Sequence, residues 1–449
     1  MRGKADTPNT NITRSLFGAI MAISVPAIVT NVTVPVLGIT DVAIAGHLGS
    51  TVSLAAIAVG TNMFNLLYWL FNFLRMGSSG LTAQAYGSGN SKAAAAVLCR
   101  AVLIALGVGS AMIIFRNQLC TLLLDSMDVT GATRDAAECY FMIRVWAAPA
   151  TLGAFAFTGW FVGMQNSRVT MWISLFVNVL NIAFSLLLVF VYGMALDGLA
   201  AGTVIAQWGG IALSVTVCAL KFRPHMPCFG DIMNWGEIKR FFAINTDIFL
   251  RTLCLIAVTL WFTRAGAAQG NTMLAVNALL MQLFTIFSFF MDGFAFAGEA
   301  LCGKFKGARN TYCFKKTVWL LICIGGTIAA VFTVVYALAG SDILRLLTDD
   351  IAVENTAKDY IWWAVGVPLA GFMAFTWDGI FIGTTETRPM LASMAVAMIV
   401  FFTVYSTTFD SLGNNGLWLS FILYLVVRGV ALTILARRFN RLSYFCSSR

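Results

Sequence analysis

The sequence predicts an all-α integral membrane protein with twelve transmembrane helices, and three observations lead to this prediction. First, 59% of the 449 residues are hydrophobic and only 11% are charged, whereas about a quarter of the residues in soluble domains are charged. Second, the apolar runs reach about 20 residues, the length that an α-helix needs to cross a bilayer. Third, the runs lack the alternation of apolar and polar residues that a transmembrane β-barrel requires.

Twelve segments are long and apolar enough to be spanning helices, and polar, glycine-rich or charged loops separate them. They are 15–40, 51–74, 97–115, 139–163, 169–192, 198–220, 241–263, 272–297, 317–340, 360–383, 389–409 and 416–436. The stretch before the first segment is polar, and that segment is longer than the apolar part of a cleavable signal peptide. We therefore expect a cytoplasmic tail followed by a first spanning helix.

The chain also repeats itself at a constant offset of 220 residues. Gly87, Asn90, Gly159, Phe161, Gly163 and Arg168 match Gly307, Asn310, Gly379, Phe381, Gly383 and Arg388. The repeat predicts two six-helix lobes, residues 1–220 and 241–449, joined by a cytoplasmic linker at 221–240. Because six is even, both lobes begin on the same membrane face, so the pseudo-two-fold axis between them runs along the membrane normal.

The distribution of Lys and Arg predicts the orientation, because these residues concentrate in cytoplasmic loops. With the N-terminus in the cytoplasm, 20 of the 29 Lys and Arg residues fall in cytoplasmic segments and 5 in external ones. We therefore expect a multi-pass protein with both termini in the cytoplasm. The net charge of +9 reflects this bias, and we expect no nucleic-acid partner.

No motif in the sequence indicates an enzyme, a metal centre or an ATP-driven motor. The ten cysteines are scattered without a CxxC pair, and the two histidines, His47 and His225, are far apart. The phosphate-binding pattern GxxxxGK[ST] does not occur. Catalysis or metal binding would need clustered His, Cys or acidic residues. We expect no cofactor, so an ion gradient has to drive any active transport.

Ionisable residues inside spanning helices are costly and are therefore candidates for function. They are Asp41, Arg75, Arg144, Asp247, Arg251, Asp292, Glu299, Asp378 and Arg428. Asp41 is the most informative because Pro26 and Pro35 precede it in the same helix and allow that helix to bend. Bending changes the burial and the charged neighbours of a carboxyl, and with them its affinity for a proton. We interpret Asp41 as a proton switch; the alternative is an aspartate that caps the next turn.

Neutral polar residues of the first half are candidates for a site in the N-terminal lobe, although each of them fits helix-to-helix hydrogen bonding equally well. They are Thr158, Asn178, Asn181, Ser185 and Thr203. The candidates for a cavity in the C-terminal lobe are Asp247, Arg251, Asn277, Asp292 and Asp378. Asp247 and Arg251 are four residues apart on one helix, so we expect them to pair. Asp378 stands at the repeat position of Thr158.

Several runs resemble the multidrug and toxic compound extrusion (MATE) family, and most of all its bacterial DinF-like branch. They are PAIVTNVTVPVLGITDVAIAGHLGS (26–50), FLRMGSSGLTAQAYG (73–87), AVNALLMQLFTIFSFFMDGFAFAGEA (275–300) and DGIFIGTTETR (378–388). The resemblance covers nearly the whole chain. It implies twelve helices in two lobes in the inner membrane of a bacterium. It also implies export of organic cations and other lipophilic compounds, driven by proton or sodium entry.

The resemblance also implies roles for particular residues. Asp41 corresponds to the proton-linked acid of the first helix, and Thr158, Asn181 and Thr203 to polar residues of helices four, five and six. Two departures concern the coupling ion. Asn181 is followed four residues later by Ser185 where relatives commonly have Asp, and Arg251 stands where sodium-coupled members place an acid. Both departures favour protons over sodium.

Together these observations predict a secondary multidrug exporter that works by proton-coupled antiport and alternating access. We expect its partners to be lipophilic, cationic small molecules and membrane lipids, and we expect a monomer. Two alternatives stay open: a sodium-coupled exporter, and a flippase for lipid-linked precursors from the same superfamily. A flippase would need a strongly cationic interior for a pyrophosphate, whereas the helix-buried charges here are five acids and four arginines.

Overall fold

The computed structural model describes residues 8–46, 51–223, 227 and 229–445. Its α-helices are α1 (Pro8–Gly46), α2 (Thr51–Phe71), α3 (Phe73–Gly87), α4 (Ser91–Ile114), α5 (Arg116–Ser126), α6 (Ala132–Arg144), α7 (Ala148–Gly163), α8 (Ser167–Leu186), α9 (Ala195–Val217), α10 (Phe229–Ile232), α11 (Trp235–Ala267), α12 (Asn271–Gly307), α13 (Thr311–Leu347), α14 (Ile351–Thr384), α15 (Thr387–Leu412) and α16 (Asn414–Phe445). A 3₁₀ turn, Val145–Ala147, connects α6 to α7, and π-helical turns at Leu187–Val191 and Cys218–Phe222 extend α8 and α9.

Twelve stretches of the described residues are long and apolar enough to span a membrane. Their number and order confirm the all-α membrane fold that the sequence predicts. Most helices extend beyond the apolar segments, because polar helix ends continue past the hydrocarbon layer. The second stretch, for example, continues through α2 and α3 to Gly87, and the ninth ends only at Leu347.

Packing divides the described residues into two compact units. Val29–Asn245 form one, here called the N-terminal unit. The residues up to Ile28 and those from Thr246 onward form the other, the C-terminal unit. Helices α1 and α11 therefore contribute to both units, and the division in α1 falls two residues after Pro26. The limits 1–220, 221–240 and 241–449 describe the sequence repeat and stay a prediction.

One spanning stretch in each half is much more buried than the others. Of the most apolar part of Ala132–Gly163, 72% is buried, and the same share applies to Ile351–Thr384; the other ten stretches range from 22% to 44%. These stretches are the fourth and tenth spans, which correspond in the repeat. They are the buried centres of their own halves, whereas apolar residues on other helices, such as Leu338, remain exposed.

The glycines of the repeat have a packing role that is the same in both halves. A Cβ atom on Gly163 of α7 would lie 2.7 Å from the carbonyl oxygen of Ser79 in α3. A Cβ on Gly383 of α14 would lie 2.5 Å from the carbonyl oxygen of Glu299 in α12. Small residues four apart allow helix backbones in membranes to approach closely. Gly159 and Gly379, one turn earlier, meet backbone of the same neighbouring helices.

The repeated asparagines begin corresponding helices. The Asn90 side chain accepts a hydrogen bond from the backbone N–H of Ala93, at 2.9 Å, where α4 begins. The Asn310 side chain accepts one from Cys313, at 3.0 Å, where α13 begins. An N-cap side chain satisfies one of the free N–H groups of the first turn. The repeat therefore preserves helix starts as well as close contacts.

Candidate functional site

Asp41 lies in the last part of α1, which is helical from Pro8 to Gly46 and so continues through Pro26 and Pro35. The Pro35 side chain lies outside the described residues. The Asp41 side chain belongs to the N-terminal unit and is only 5% exposed. Among the described residues its Oδ1 atom has no hydrogen-bond partner. A buried carboxylate is stable only when it is paired or protonated, so Asp41 is suited to exchange a proton.

The cation that interacts electrostatically with Asp41 is Arg144, at the C-terminal end of α6. The Arg144 guanidinium donates to the Tyr140 hydroxyl at 2.5 Å and to Thr61 Oγ1 at 3.4 Å. Its Cζ atom lies 5.0 Å from the ring centroid of Phe64 and 5.4 Å from that of Tyr140. Both distances are within the range of cation–π attraction. Two aromatic rings and two hydroxyls therefore surround a positive charge that interacts electrostatically with the buried acid.

Helices α2 and α6 hold these aromatic rings in place. Phe64 stacks on Phe141, with ring centroids 4.9 Å apart, and both side chains are fully buried. The ring of Tyr140 packs directly on Gly60, where a Cβ atom would overlap it. Tyr68, one turn after Phe64, also interacts electrostatically with Arg144. The rings of the enclosure therefore belong to the hydrophobic core of the N-terminal unit.

The neutral polar candidates of the first half are only partly joined by contacts. Asn181 of α8 donates to Thr203 Oγ1 of α9 at 2.9 Å, and the second atom of its amide, Oδ1, is buried without a partner in the described chain. Ser185, also fully buried, packs against Gly202 of α9. Asn178 donates to the carbonyl of Thr33 in α1 at 3.4 Å. Thr158 lies half-buried on α7. These contacts connect α8 to both α1 and α9.

In the C-terminal unit, Asp378 of α14 is the centre of a second charged group. Arg251 of α11 and Arg428 of α16 both donate to its Oδ2 atom. All three side chains are at least 92% buried. The group joins three helices through one carboxylate.

More ionisable groups surround this ion pair. Asp292 and Glu299 of α12 interact electrostatically with Arg251, and Asp292 also interacts with Arg428. The guanidinium of Arg428 lies 5.8 Å from the ring centroid of Phe375. Two arginines therefore face several carboxyls, and the charge of Asp378 is already balanced within the protein.

The pairing that the sequence predicts within α11 is not the pairing that forms. Asp247 accepts a hydrogen bond from Thr387 Oγ1, at 2.6 Å, while Arg251 binds Asp378. The physical reason is that a spacing of four residues identifies neighbours on one helix, whereas a buried arginine gains more from a carboxylate that a second helix brings to it. The contact with Thr387 instead ties α11 to the first residue of α15.

Asn277 belongs to a hydrogen-bonded cluster near the start of α12. It exchanges hydrogen bonds with Asn414, at 2.8 and 3.0 Å, and accepts one from the indole of Trp418, at 2.9 Å. All three residues are buried. Since its amide oxygen and its amide nitrogen both bond to residues of α16, Asn277 holds α12 against α16.

The sequence did not identify Thr61, Phe64 and Tyr140 as site residues. Tyr140 could have been found from the sequence, because it lies four residues before Arg144 and so shares a face of α6 with that buried charge. Arg428 and Glu299 were recognised as buried charges, but no partner for either could be predicted from the sequence. Among the described residues, no three His, Cys, Asp or Glu side chains are grouped so that they could hold a metal ion.

The kind of protein that contains these two charged groups can be identified from the family to which the chain belongs. The family model MatE matches the chain twice, at residues 26–187 and 246–407. The two matches begin 220 residues apart, which is the offset of the repeat, and together they cover most of the chain. The chain belongs to the MatE family. Family members are transporters and not enzymes, so the chain is a multi-pass membrane transporter.

Individual relatives agree with this assignment. The chain is 37% identical over 426 residues to DNA damage-inducible protein F of Escherichia coli K12, covering 94% of this chain and 92% of that protein. It is 22% identical over 431 residues to the probable multidrug resistance protein NorM of Acinetobacter baylyi, covering 92% and 94%. The crystal structure of the Vibrio cholerae MATE transporter VcmN in the bent form superposes with a TM-score of 0.87 at 14% identity, covering 97% of this chain and 99% of that one.

These relatives confirm the predicted family and its DinF-like branch, and the structural neighbours confirm the predicted twelve-helix, two-lobe fold. The chain is a MATE-family multidrug efflux transporter that handles small molecules.

Proposed function

We propose that this transporter is a proton-coupled antiporter in which Asp41 takes up a proton from outside the cell as a lipophilic cation leaves. The observation that carries the proposal is the contrast between two buried carboxyls. Asp41 is buried, and Arg144, the arginine that interacts with it, donates to Tyr140 and Thr61 rather than to the carboxyl. Asp378 is bound by two arginines. A carboxyl that lacks a permanent partner is the better proton acceptor.

The same contrast favours protons over sodium. Sodium would need several oxygen ligands around one cavity, because hard cations prefer oxygen. In the C-terminal unit the guanidinium groups of Arg251 and Arg428 already bind Oδ2 of Asp378, so two positive charges lie where a sodium ion would be repelled. In the N-terminal unit a proton needs only Asp41 itself.

The driving force is sufficient for such an exchange. One net charge that crosses a potential of 100 mV supplies about 2.3 kcal/mol. Because a tenfold gradient costs about 1.4 kcal/mol, this supports a substrate gradient of roughly 40-fold. If one monocation exchanges for one proton, no net charge moves, and the pH difference alone drives export.

The proposal extends to the membrane location, the orientation, the substrates and the oligomeric state of the transporter. We propose that the protein lies in the bacterial inner membrane with both termini in the cytoplasm, since this orientation places most Lys and Arg residues inside. The aromatic enclosure beside Asp41 favours lipophilic cations as substrates, because aromatic faces attract cations. We further propose that the transporter works as a monomer without a bound cofactor, driven by the ion gradient alone.

Efflux of ethidium from proteoliposomes, with a proton gradient or a sodium gradient imposed separately, tests the proposal. Wild-type efflux should follow the proton gradient, and Asp41→Asn should reduce it at least about 100-fold, as expected when the group that carries the proton is lost. Asp197→Asn, at another acid of the N-terminal unit, is the matched control and should transport normally. Efflux that follows sodium, or that survives Asp41→Asn in a folded protein, would reject the proposal.

A further inference from the structure

We propose that Phe64, Tyr140 and Thr61 form the subsite that receives the cationic group of the substrate, and that Arg144 is an internal competitor for it. When Asp41 is ionised, the guanidinium pairs with the carboxylate and leaves the subsite open to a lipophilic cation. When Asp41 is protonated, the guanidinium returns to the subsite and displaces the substrate. This inference rests on the proton coupling proposed above and gives the exchange a physical mechanism.

The structure shows the arrangement in which Arg144 occupies the subsite. The guanidinium bonds to Tyr140 and Thr61 and lies near the rings of Phe64 and Tyr140. Asp41 Oδ1, meanwhile, is buried without a partner in the described part of the chain. An ionised carboxylate beside an arginine would normally bind it directly. The observed contacts are therefore those expected for a neutral Asp41.

The surroundings of Arg144 are also those that suit an organic cation. Aromatic faces attract a cation most strongly when water is excluded, and Phe64 and Tyr140 are both fully buried. Thr61 Oγ1 and the Tyr140 hydroxyl are neutral acceptors that require no ionic partner. A guanidinium and a lipophilic ammonium or phosphonium group use the same aromatic faces, so one excludes the other.

The charged and titratable groups that face Asp41 come from the helices around it. Helix α6 contributes Arg144 and the Tyr140 hydroxyl, both of which interact with Asp41, and α2 contributes Tyr68, which interacts with Arg144. Protonation of Asp41 forms one O–H bond and removes the one negative charge that attracts Arg144. The group then carries a net charge of +1, which repels a cationic substrate as well as displacing it.

Binding of tetraphenylphosphonium to the purified full-length protein, measured at neutral pH, tests the competition. Asp41→Asn imitates the protonated acid and should weaken binding about tenfold, equivalent to about 1.4 kcal/mol. The double variant Asp41→Asn with Arg144→Gln removes the competitor and should restore most of the lost affinity. If the double variant binds as weakly as Asp41→Asn, Arg144 is not a competitor and the inference is overturned.

Two single variants separate this mechanism from a structural role of Arg144. Arg144→Gln should bind the cation at least as tightly as the wild type but lose proton-driven efflux, because nothing displaces the substrate. A structural role would reduce both binding and efflux. The control is Arg134→Gln on the same helix, whose partner is the exposed Asp125, and it should change neither.

A conservative variant keeps the test valid if Arg144→Gln does not fold. Tyr140→Phe keeps the ring but removes the hydroxyl that binds Arg144, so cation binding should be retained or tightened, whereas Tyr140→Leu should weaken it. Weaker binding in Tyr140→Phe would contradict the inference. These binding measurements need no gradient, so they can succeed even if efflux follows sodium and the proposed coupling fails.

Discussion

The two buried charged groups of this transporter differ in how their acids are held. In both groups the Oδ1 atom of the acid is buried without a hydrogen-bond partner among the described residues. In the N-terminal unit, Arg144 donates to Tyr140 and Thr61 rather than to Asp41. In the C-terminal unit, Asp378 is fixed by both Arg251 and Arg428. Buried charge alone therefore does not identify a coupling site. A permanently paired acid stabilises the fold, whereas an acid without such a pair can exchange a proton.

The largest expected effect on stability comes from removing the charge of Asp378. Asp378→Asn leaves two buried guanidinium groups without their carboxylate, and breaking a buried pair in this way costs about 3–5 kcal/mol. Asp41→Asn should change stability by less than about 1 kcal/mol, because Asp41 has no such pair to lose. Thermal unfolding of the two purified variants in the same detergent measures the difference. Equal melting temperatures would remove the distinction between the two groups.

A smaller loss of stability is expected when the repeated glycines are replaced, and it tests whether the two halves pack their helices in the same way. Gly163→Ala and Gly383→Ala each force a methyl group against backbone of the neighbouring helix, so each should destabilise the protein by about 1–3 kcal/mol. Gly107→Ala, in a helix position with nothing within 4 Å, is the control and should be neutral or slightly stabilising. A large effect in one half and none in the other would show that the shared packing is unequal.

The smallest expected effect concerns the caps. Asn90→Ala and Asn310→Ala each remove one hydrogen bond at the start of α4 or α13. Such N-caps contribute about 1 kcal/mol, and the two losses should add because the sites are independent. Melting temperatures of the single and double variants test this. Losses that differ strongly between the two caps would argue against equivalent helix starts.

The sequence predicted the fold well because spanning helices and repeats are local or periodic signals. Twelve apolar segments and matches such as Gly163 with Gly383 can be counted along the chain. The partners of buried charges could not be predicted in this way, because they are far apart in the sequence. Arg251 has Asp247 four residues before it, yet it binds Asp378, which is 127 residues away. Which face of α11 meets α14 depends on packing between helices, and the sequence does not display that.

The candidate site of the N-terminal unit shows the same limit. Asp41 was identified because a lone acid that follows two prolines in an apolar helix is conspicuous. Phe64 was not identified, because it is one of 36 phenylalanines and only the fold places it against Arg144. Asn277, in contrast, was identified for its polarity, yet the oxygen and the nitrogen of its amide both bond to α16 and so join α12 to that helix.

The most direct test of the central claim is the release of protons when substrate binds. Tetraphenylphosphonium is added to purified protein in unbuffered detergent solution, at a pH where Asp41 is largely protonated, and the pH change is recorded. If substrate and proton exclude each other at Asp41, the wild type releases protons on binding and Asp41→Asn does not, while Asp197→Asn behaves as the wild type. Equal proton release from Asp41→Asn and the wild type would contradict the account and place the coupling group elsewhere.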